Sequence, residues 1–445
     1  MFSVSKFLGS LISLKRNEKR SYKSIVKIRE KKLRAMLKYA YKKSEFYREL
    51  YSKNGIQYEN LNTIAIEDIP SITKKDMMDN LQSVLTVKDI TAEEVMDFAH
   101  KCKDPKVLLK NKYQVIHSSG TTGSPGVFLY NEDEMSIAFS CSSRMHSINY
   151  LKKTKVAYYA GVDGRFGGVS LVRFGQTDFF KKFYDVCFLD MNEPLEKTIQ
   201  TLNGFQPDIL IAYGTGLSIL ATCQMEGQLN IHPSILENGG EGLTEKDCEL
   251  LKKVYNVPIV NMYAASETYY LGIGKDEYDG IYLMDDFNYI EIMDGYILVT
   301  NLYNHTQPII RYRINDNLTL KEDNKKILPF RLVDNLIGRS EELLWFKNET
   351  GERDYIHPLV LTGISIEGLD KFHIVAYSEE RFELLAILQE DEEQERIFDQ
   401  LKNGLDNILM QKKMKNVSYE IKRISYPIVD EKTRKYKMII NQVKK

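Results

Sequence analysis

The sequence predicts an α/β protein. A large N-terminal body with parallel-sheet subdomains and a β subdomain is followed by a small α+β C-terminal domain. Three observations carry that prediction. From residue 113 onward, short β-type runs at 114–118, 155–160, 209–213 and 259–262 alternate with helical stretches at 195–202, 217–225 and 245–255, the alternation of βαβ units in a largely parallel sheet. Between residues 280 and 346 the chain turns strand-rich, with runs at 288–293, 296–300 and 343–346 and turns such as Asp294-Gly295. After Gly338 come hairpin-like runs at 372–377 and 382–388, a charged helix start at 390–396 and a basic tail. The expected division is therefore residues 1–338 and 339–445, the second of ordinary domain size.

Composition excludes more than it identifies. The 445 residues hold 61 Lys+Arg against 62 Asp+Glu, a net charge of -1, so no overall field proposes nucleic acid as a partner. Cys102, Cys141, Cys187, Cys223 and Cys248 are scattered, odd in number and form no C-x-x-C pair. That is cytosolic usage, not a disulfide framework or a thiolate metal site, and a cytoplasmic enzyme is expected. No apolar run approaches the roughly 18–20 residues of a membrane span.

The first fourteen residues are apolar but Ser-interrupted, and run into Lys15-Arg16-Asn17-Glu18-Lys19-Arg20. They predict an amphipathic N-terminal helix rather than a signal peptide, with membrane-surface contact as the alternative. Leu33, Met36, Leu37, Ala40 and Tyr41 fall on one helical face. The basic residues among them predict a solvated face, with a nucleic-acid surface as the alternative. At residues 69–76 a Pro-bearing connector offers Ser71 or Thr73 as the next helix cap.

The strongest chemical signal is Ser118-Ser119-Gly120-Thr121-Thr122-Gly123-Ser124-Pro125-Gly126, directly after the strand-like run 113–117. Three glycines bring backbone N–H groups close to an anion, and five hydroxyls add donors. Such a loop suits phosphates; the bland alternative is a Gly/Ser/Thr surface turn. It is not a Walker A loop, because the G-x-x-x-x-G-K-[ST] pattern is absent.

That loop resembles the phosphate-binding signature of the adenylate-forming (AMP-binding) superfamily of acyl-CoA ligases, and further matches follow in order. Asn238-Gly239-Gly240-Glu241-Gly242 is similar to the glycine–acid segment lining the adenine pocket. Asn261 to Thr268 resembles the Y-G-x-[ST]-E motif, and Ile310-Arg311-Tyr312-Arg313-Ile314-Asn315-Asp316 the R-Y-R-x-G-D motif. Gly338-Arg339-Ser340-Glu341-Glu342 resembles the G-R-x-D-D hinge. Within the superfamily the likeness is closest to the phenylacetate–CoA ligase branch, which includes proteins encoded with capsular-polysaccharide biosynthesis genes. Residues 37–48, 68–74 and 206–213 support it.

The resemblance implies ATP, Mg²⁺ and an acceptor such as CoA. Ser119, Thr121 and Thr122 would hold the β/γ-phosphates, with Ser118, Gly120 and Gly123 also binding the nucleotide, and Gly240 and Glu241 would line the adenine site. Glu267 is a hard oxygen ligand for Mg²⁺, with a surface carboxylate as its alternative. Ser266 or Thr268 would reach the α-phosphate, and Tyr263 would stack on adenine. Asp316 would take the ribose hydroxyls, reinforced by Arg339; its alternative is a turn residue. The superfamily's C-terminal lysine aligns with Lys435 in Thr433-Arg434-Lys435-Tyr436-Lys437, with Lys437 or a plain basic tail as alternatives.

Departures from the family pattern are Ser124 where many members carry Lys, Ala264 and Asn315 in place of Gly, and Glu341 in place of Asp. Residues 274–282 hold neither Cys nor His, so no structural zinc is expected. The acyl pocket is expected at residues 158–168 and 213–216, with Arg165 or Arg173 pairing a carboxylate or forming a surface salt bridge. The function implied is activation of a small, aromatic or short, carboxylic acid as acyl-adenylate. Transfer to CoA follows, as the smaller domain rotates about Glu341. Alternatives are an amine, hydroxyl or carrier-protein acceptor in surface-glycan or secondary-metabolite biosynthesis, or a non-catalytic nucleotide-binding relative. A homodimer is compatible with all of them.

Overall fold

The computed structural model describes residues 2–118, 126–147, 152–177, 179–334, 343–362, 364, 366, 368–389, 393–428 and 438–442. The N-terminal segment is helical: α1 (Val4–Asn17), α2 (Tyr22–Lys43), α3 (Glu45–Lys53) and, after the connector, α4 (Lys74–Asp79). In α2, Leu33, Met36, Leu37 and Ala40 are buried in a core shared with Tyr47, Ile309 and Ile310. Thr73, not Ser71, caps α4: the Asp76 N–H donates to Thr73 Oγ1 and the Thr73 N–H to Asp76 Oδ2 at 2.8 Å, a reciprocal capping box.

Helix α1 buries Phe7 and Leu14 and turns Val4, Leu8 and Ile12 outward. Its inner side meets a cluster of Phe2, Phe139, Phe174 and Phe180. Among the described residues no helix is long and apolar enough to cross a membrane.

The strands in chain order are β1 (Tyr113–His117), β2 (Val127–Asn131), β3 (Thr154–Ala160), β4 (Tyr184–Asp190), β5 (Ile209–Ala212), β6 (Ile235–Gly239) and β7 (Ile259–Ala265). Then come β8 (Tyr269–Lys275), β9 (Ile281–Leu283), β10 (Asn288–Ile292), β11 (Ile297–Asn301), β12 (Tyr312–Ile314), β13 (Leu320–Lys321) and β14 (Leu332–Val333). The last are β15 (Leu344–Lys347), β16 (Arg353–Ile356), β17 (Leu369–Ser378), β18 (Arg381–Leu388), β19 (Ser418–Arg423) and β20 (Ile439–Asn441).

Nine of them form one mixed sheet in the order β13-β14-β9-β8-β7-β6-β5-β3-β4. Strands β4, β3, β5, β6 and β7 are parallel, and β8, β9, β14 and β13 continue antiparallel. The parallel half exists because crossover helices such as Leu195–Phe205, Gly214–Met225 and Glu245–Tyr255 connect its strands. These helices cover one face through Leu202, Leu217, Leu220 and Leu251. The helix Gly167–Phe174 covers the other, with Val169 against Tyr158 and Ala160.

Two strand expectations are corrected. The run at 114–118 is not a strand of the parallel sheet: β1 pairs antiparallel with β2, because the nine residues 118–126 between them are fewer than the dozen or so a parallel crossover needs. The run at 343–346 does not join the β subdomain, which is β10-β11-β12. It becomes β15, hairpinned with β16, and buries Leu344, Phe346 and Ile356 with Phe382, Leu384 and Leu401. The last sheet, β19-β18-β17-β20, shares this core with the helix Gln394–Gln411, whose Ile397, Leu401, Leu405 and Ile408 recur at helical spacing. Tyr355 of β16 faces the body instead, its hydroxyl 2.6 Å from that of Tyr159.

Candidate active site

Strands β1 and β2 end in a backbone clamp at the hydroxyl-rich loop. The Ser118 N–H donates to the Gly126 carbonyl, and the Gly126 N–H to Ser118 Oγ, both at 2.9 Å. The loop residues Ser119, Gly120, Thr121, Thr122 and Gly123 lie outside the described residues, as do Arg339, Lys435 and Lys437. A Cβ on Gly126 would sit 2.9 Å from Phe128 Cζ and 3.3 Å from Lys74 Cδ. Glycine there lets the first residue of α4 lay its stem across the base of the loop.

The turn between β7 and β8 carries Ser266 and Glu267. It is held from beneath: Tyr130 donates to the Glu267 carbonyl at 2.7 Å, and Tyr303 to the Thr268 carbonyl at 2.7 Å. The Glu267 carboxyl accepts from the Tyr312 hydroxyl and interacts electrostatically with Lys74 and Asp316. Desolvation pushes its pKa above the usual carboxylate range, against the pull of the Tyr312 hydrogen bond and the Lys74 ammonium. Burial lowers the Lys74 pKa in turn, and Glu267 opposes that.

The structure separates the two hydroxyl candidates. Ser266 is half-buried, with its Oγ 3.4 Å from the His117 carbonyl. Thr268 is wholly buried, with no hydrogen-bond partner for its hydroxyl among the described residues. Tyr263 donates to Asp316 Oδ2 at 2.7 Å, so Asp316 is an acceptor within the cluster rather than a simple turn residue. Lys74, Glu267, Tyr312, Tyr263 and Asp316 thus meet from separate segments.

At the end of β6, Asn238 Nδ2 donates to the Glu241 carbonyl at 2.6 Å and to Asn261 Oδ1 at 2.7 Å. Gly240 is exposed with φ +91°, and a Cβ on it would sit 2.9 Å from the Tyr213 ring. Only glycine allows that approach. The Glu241 carboxylate accepts from the Thr215 N–H at 2.9 Å and hydroxyl at 2.8 Å, and stands 2.5 Å from His357 Nε2. Burial would raise the Glu241 pKa, but His357 and Thr215 hold it below the ordinary range. His357 directly follows β16, so the C-terminal part of the chain reaches this loop.

Of the two arginines of the expected acyl pocket, Arg165 is taken up by backbone carbonyls. Arg165 is wholly buried and donates to the carbonyls of Asp104 at 2.6 Å, Val115 at 2.7 Å and Val107 at 2.8 Å. It pins the segment before β1 and is spent on backbone. Arg173 lies 3.5 Å over the Phe188 ring in a cation–π contact, and forms no salt bridge among the described residues.

Sequence reasoning missed Lys74, His357 and the role of Tyr312. Tyr312 was visible as the aromatic of R-Y-R. Lys74 and His357 carry no motif of their own and are brought in by tertiary packing.

The fold is that of the adenylate-forming ligases, and the chain is similar to curated relatives of that superfamily. No protein-family model matches it. It is 25% identical over 372 residues to protein CapK of Staphylococcus aureus, covering 76% of this chain and 74% of that one. To phenylacetate-coenzyme A ligase of Aromatoleum evansii it is 23% identical over 348 residues, 74% of this chain and 73% of the other. Among solved structures it resembles 2-hydroxyisobutyryl-CoA ligase in complex with 2-HIB-AMP and CoA in the thioesterification state. The TM-score is 0.59 at 16% identity, over 96% of this chain and 91% of that one. The same ligase in the postadenylation state with 2-HIB-AMP gives 0.53 at 15% identity, over 93% and 88%.

Proposed function

We propose that this protein is an AMP-forming ligase that activates a small carboxylic acid with ATP and passes the acyl group to CoA. The observation that carries this reading is the convergence of Lys74, Glu267, Tyr312, Tyr263 and Asp316 beside the Ser118–Gly126 clamp. Asp316 suits the ribose hydroxyls, and the hydroxyl-rich loop with Lys74 suits the phosphates. Similarity to acid–CoA ligases supports the same chemistry.

In the first step a carboxylate oxygen bonds to the α-phosphorus and the bond to the β-bridging oxygen breaks, giving acyl-adenylate and pyrophosphate. Lys435 offsets the charge that develops on the α-phosphate. The desolvated Glu267 carboxylate, next to Asp316, fits Mg²⁺; the ion's chemistry when bound is neutralisation of phosphate charge. In the second step the CoA sulfur bonds to the acyl carbon, its proton is lost and AMP departs. Between the steps residues 339–445 rotate about Glu341, a two-state closure.

ATP–pyrophosphate exchange across a panel of carboxylic acids tests the reading. Acid-dependent exchange is expected; ATP binding without exchange for any acid overturns it. Exchange without thioester formation would replace CoA by another acceptor, such as an amine, a hydroxyl or a carrier thiol. Lys435→Ala is expected to abolish most exchange; if Lys437→Ala does so instead, the role moves to Lys437.

Lys74 offsets the cation absent at Ser124. Lys74→Ala is expected to raise the KM for ATP by about 10- to 100-fold, the worth of one charge-assisted hydrogen bond. An unchanged KM for ATP removes Lys74 from the phosphate site.

A further inference from the structure

The strand registers align Phe188, Tyr158, Ile211, Glu237 and Val260 in one row across β4, β3, β5, β6 and β7. This row lies on the face covered by the helix Gly167–Phe174, the face of the aromatic cluster Tyr158, Phe166, Phe188 and Tyr213. Four of its five members are apolar or aromatic. The fifth, Glu237, is a carboxylate on a central strand, only 2% exposed.

One Glu237 oxygen is accounted for. Its Oε1 lies 2.6 Å from His146 Nδ1, and His146 Nε2 lies 3.2 Å from the hydroxyl of Tyr184, the first residue of β4. Burial alone would lower the His146 pKa, but Glu237 outweighs it and the pKa is raised, as in a buried ion pair. These partners approach from the N-terminal ends of the strands. The other oxygen, Oε2, has no hydrogen-bond partner among the described residues. A buried acceptor without a partner costs free energy and calls for a ligand or water.

Toward the C-terminal ends of the strands the next row is Asp190, Ala160, Tyr213, Gly239 and Met262; Ala160 and Gly239 are small, and the flexible Met262 side chain lies over Gly239. Ile211, Met262, Phe166 and Tyr213 around these two rows are only partly buried. Glu237 lies two residues, roughly 7 Å, below Gly239. That distance suits a small acid whose carboxylate points up to Ser266 and Gly240.

We infer that the acid activated by this protein carries a hydrogen-bond donor, a hydroxyl or an ammonium group, at the end remote from its carboxylate, and that Glu237 accepts from it. The inference rests on the adenylation reading above and names its substrate class. A pocket built around a buried acceptor rejects an acid lacking the donor, because the acceptor is then desolvated for nothing.

Exchange kinetics with matched acids test it: butyrate against 4-hydroxybutyrate and 4-aminobutyrate, and phenylacetate against 4-hydroxyphenylacetate. In at least one series the donor-bearing acid should exceed its donor-free partner in kcat/KM by roughly 10²-fold or more. Glu237→Leu should invert that preference and leave the KM for ATP unchanged. Glu237→Gln keeps the shape and an acceptor, and should retain a hydroxy acid while losing an ammonium acid. Donor-free acids used as well as their partners by the wild type would overturn the inference while leaving adenylation intact. So would a Glu237→Gln variant that folds with a native melting temperature yet loses all acids equally, since a purely structural His146–Glu237 pair predicts that. No exchange with any acid would remove the adenylation reading, and this inference with it.

Discussion

Replacing Glu267 by glutamine is expected to lower acid-dependent ATP–pyrophosphate exchange by about 10²-fold or more, close to 3 kcal/mol of transition-state stabilisation. The amide fills the same space and can still accept from Tyr312, so the β7–β8 turn, held through backbone carbonyls by Tyr130 and Tyr303, should keep its shape. What is lost is negative charge beside Lys74 and Asp316. Nucleotide binding should weaken less than turnover, because Asp316 and the loop remain. A variant with wild-type exchange would place Glu267 outside the chemistry.

The wild-type pH profile carries the same information. Desolvation raises the Glu267 pKa, so the ionised form is lost on acidification at a pH above the ordinary carboxylate range, and activity should fall there. Lys74 opposes that shift. Lys74→Ala should therefore move the acid limb of kcat/KM to higher pH. A limb that stays in place would show that the Lys74 ammonium does not act on Glu267.

Much of this architecture is legible along the chain because it is local. The helix 245–255 and the strands at 155–160 and 259–262 announce themselves by periodicity, and the structure extends them by a few residues at most. The ordered motifs around Ser118, Gly240, Glu267 and Asp316 supply most residues of the candidate site. The misses are non-local. Strand β1 has the composition of a buried parallel strand, and only the short connection to β2 assigns it to a hairpin. Arg165 sits between Gly164 and Phe166 like a pocket cation, yet the carbonyls that consume it lie near residues 102–115. Lys74 and His357 enter through contacts between segments far apart in sequence, which no spacing rule encodes.

Replacing Asp286 by asparagine is expected to cost about 3–5 kcal/mol of stability at neutral pH, the price of stranding a buried cation. Arg144, 5% exposed, grips the wholly buried Asp286 in two parallel bonds of 2.8 and 2.9 Å. The same carboxylate accepts from Asn17 at the end of α1, and Lys32 of α2 donates to the Asp286 carbonyl at 2.8 Å. Asp286 thus joins α1 and α2 to the body, beside the Arg29–Asp285 ion pair and the apolar packing of both helices. Burial would raise the Asp286 pKa, but Arg144 and Asn17 outweigh it and hold the group below its ordinary range. A folded pKa below the unfolded one means that the stabilisation is complete above the ordinary carboxylate range and is lost as pH falls through the depressed value. The gap in urea midpoint between wild type and Asp286→Asn should therefore be widest at neutral pH and close on acidification, where the wild-type group becomes as neutral as the amide. Substituting both partners, Arg144→Met with Asp286→Leu, should recover much of the loss, because no charge is then left buried alone. A neutral-pH difference within about 0.5 kcal/mol, the range of ordinary surface substitutions, would show that the pair does not anchor the helices.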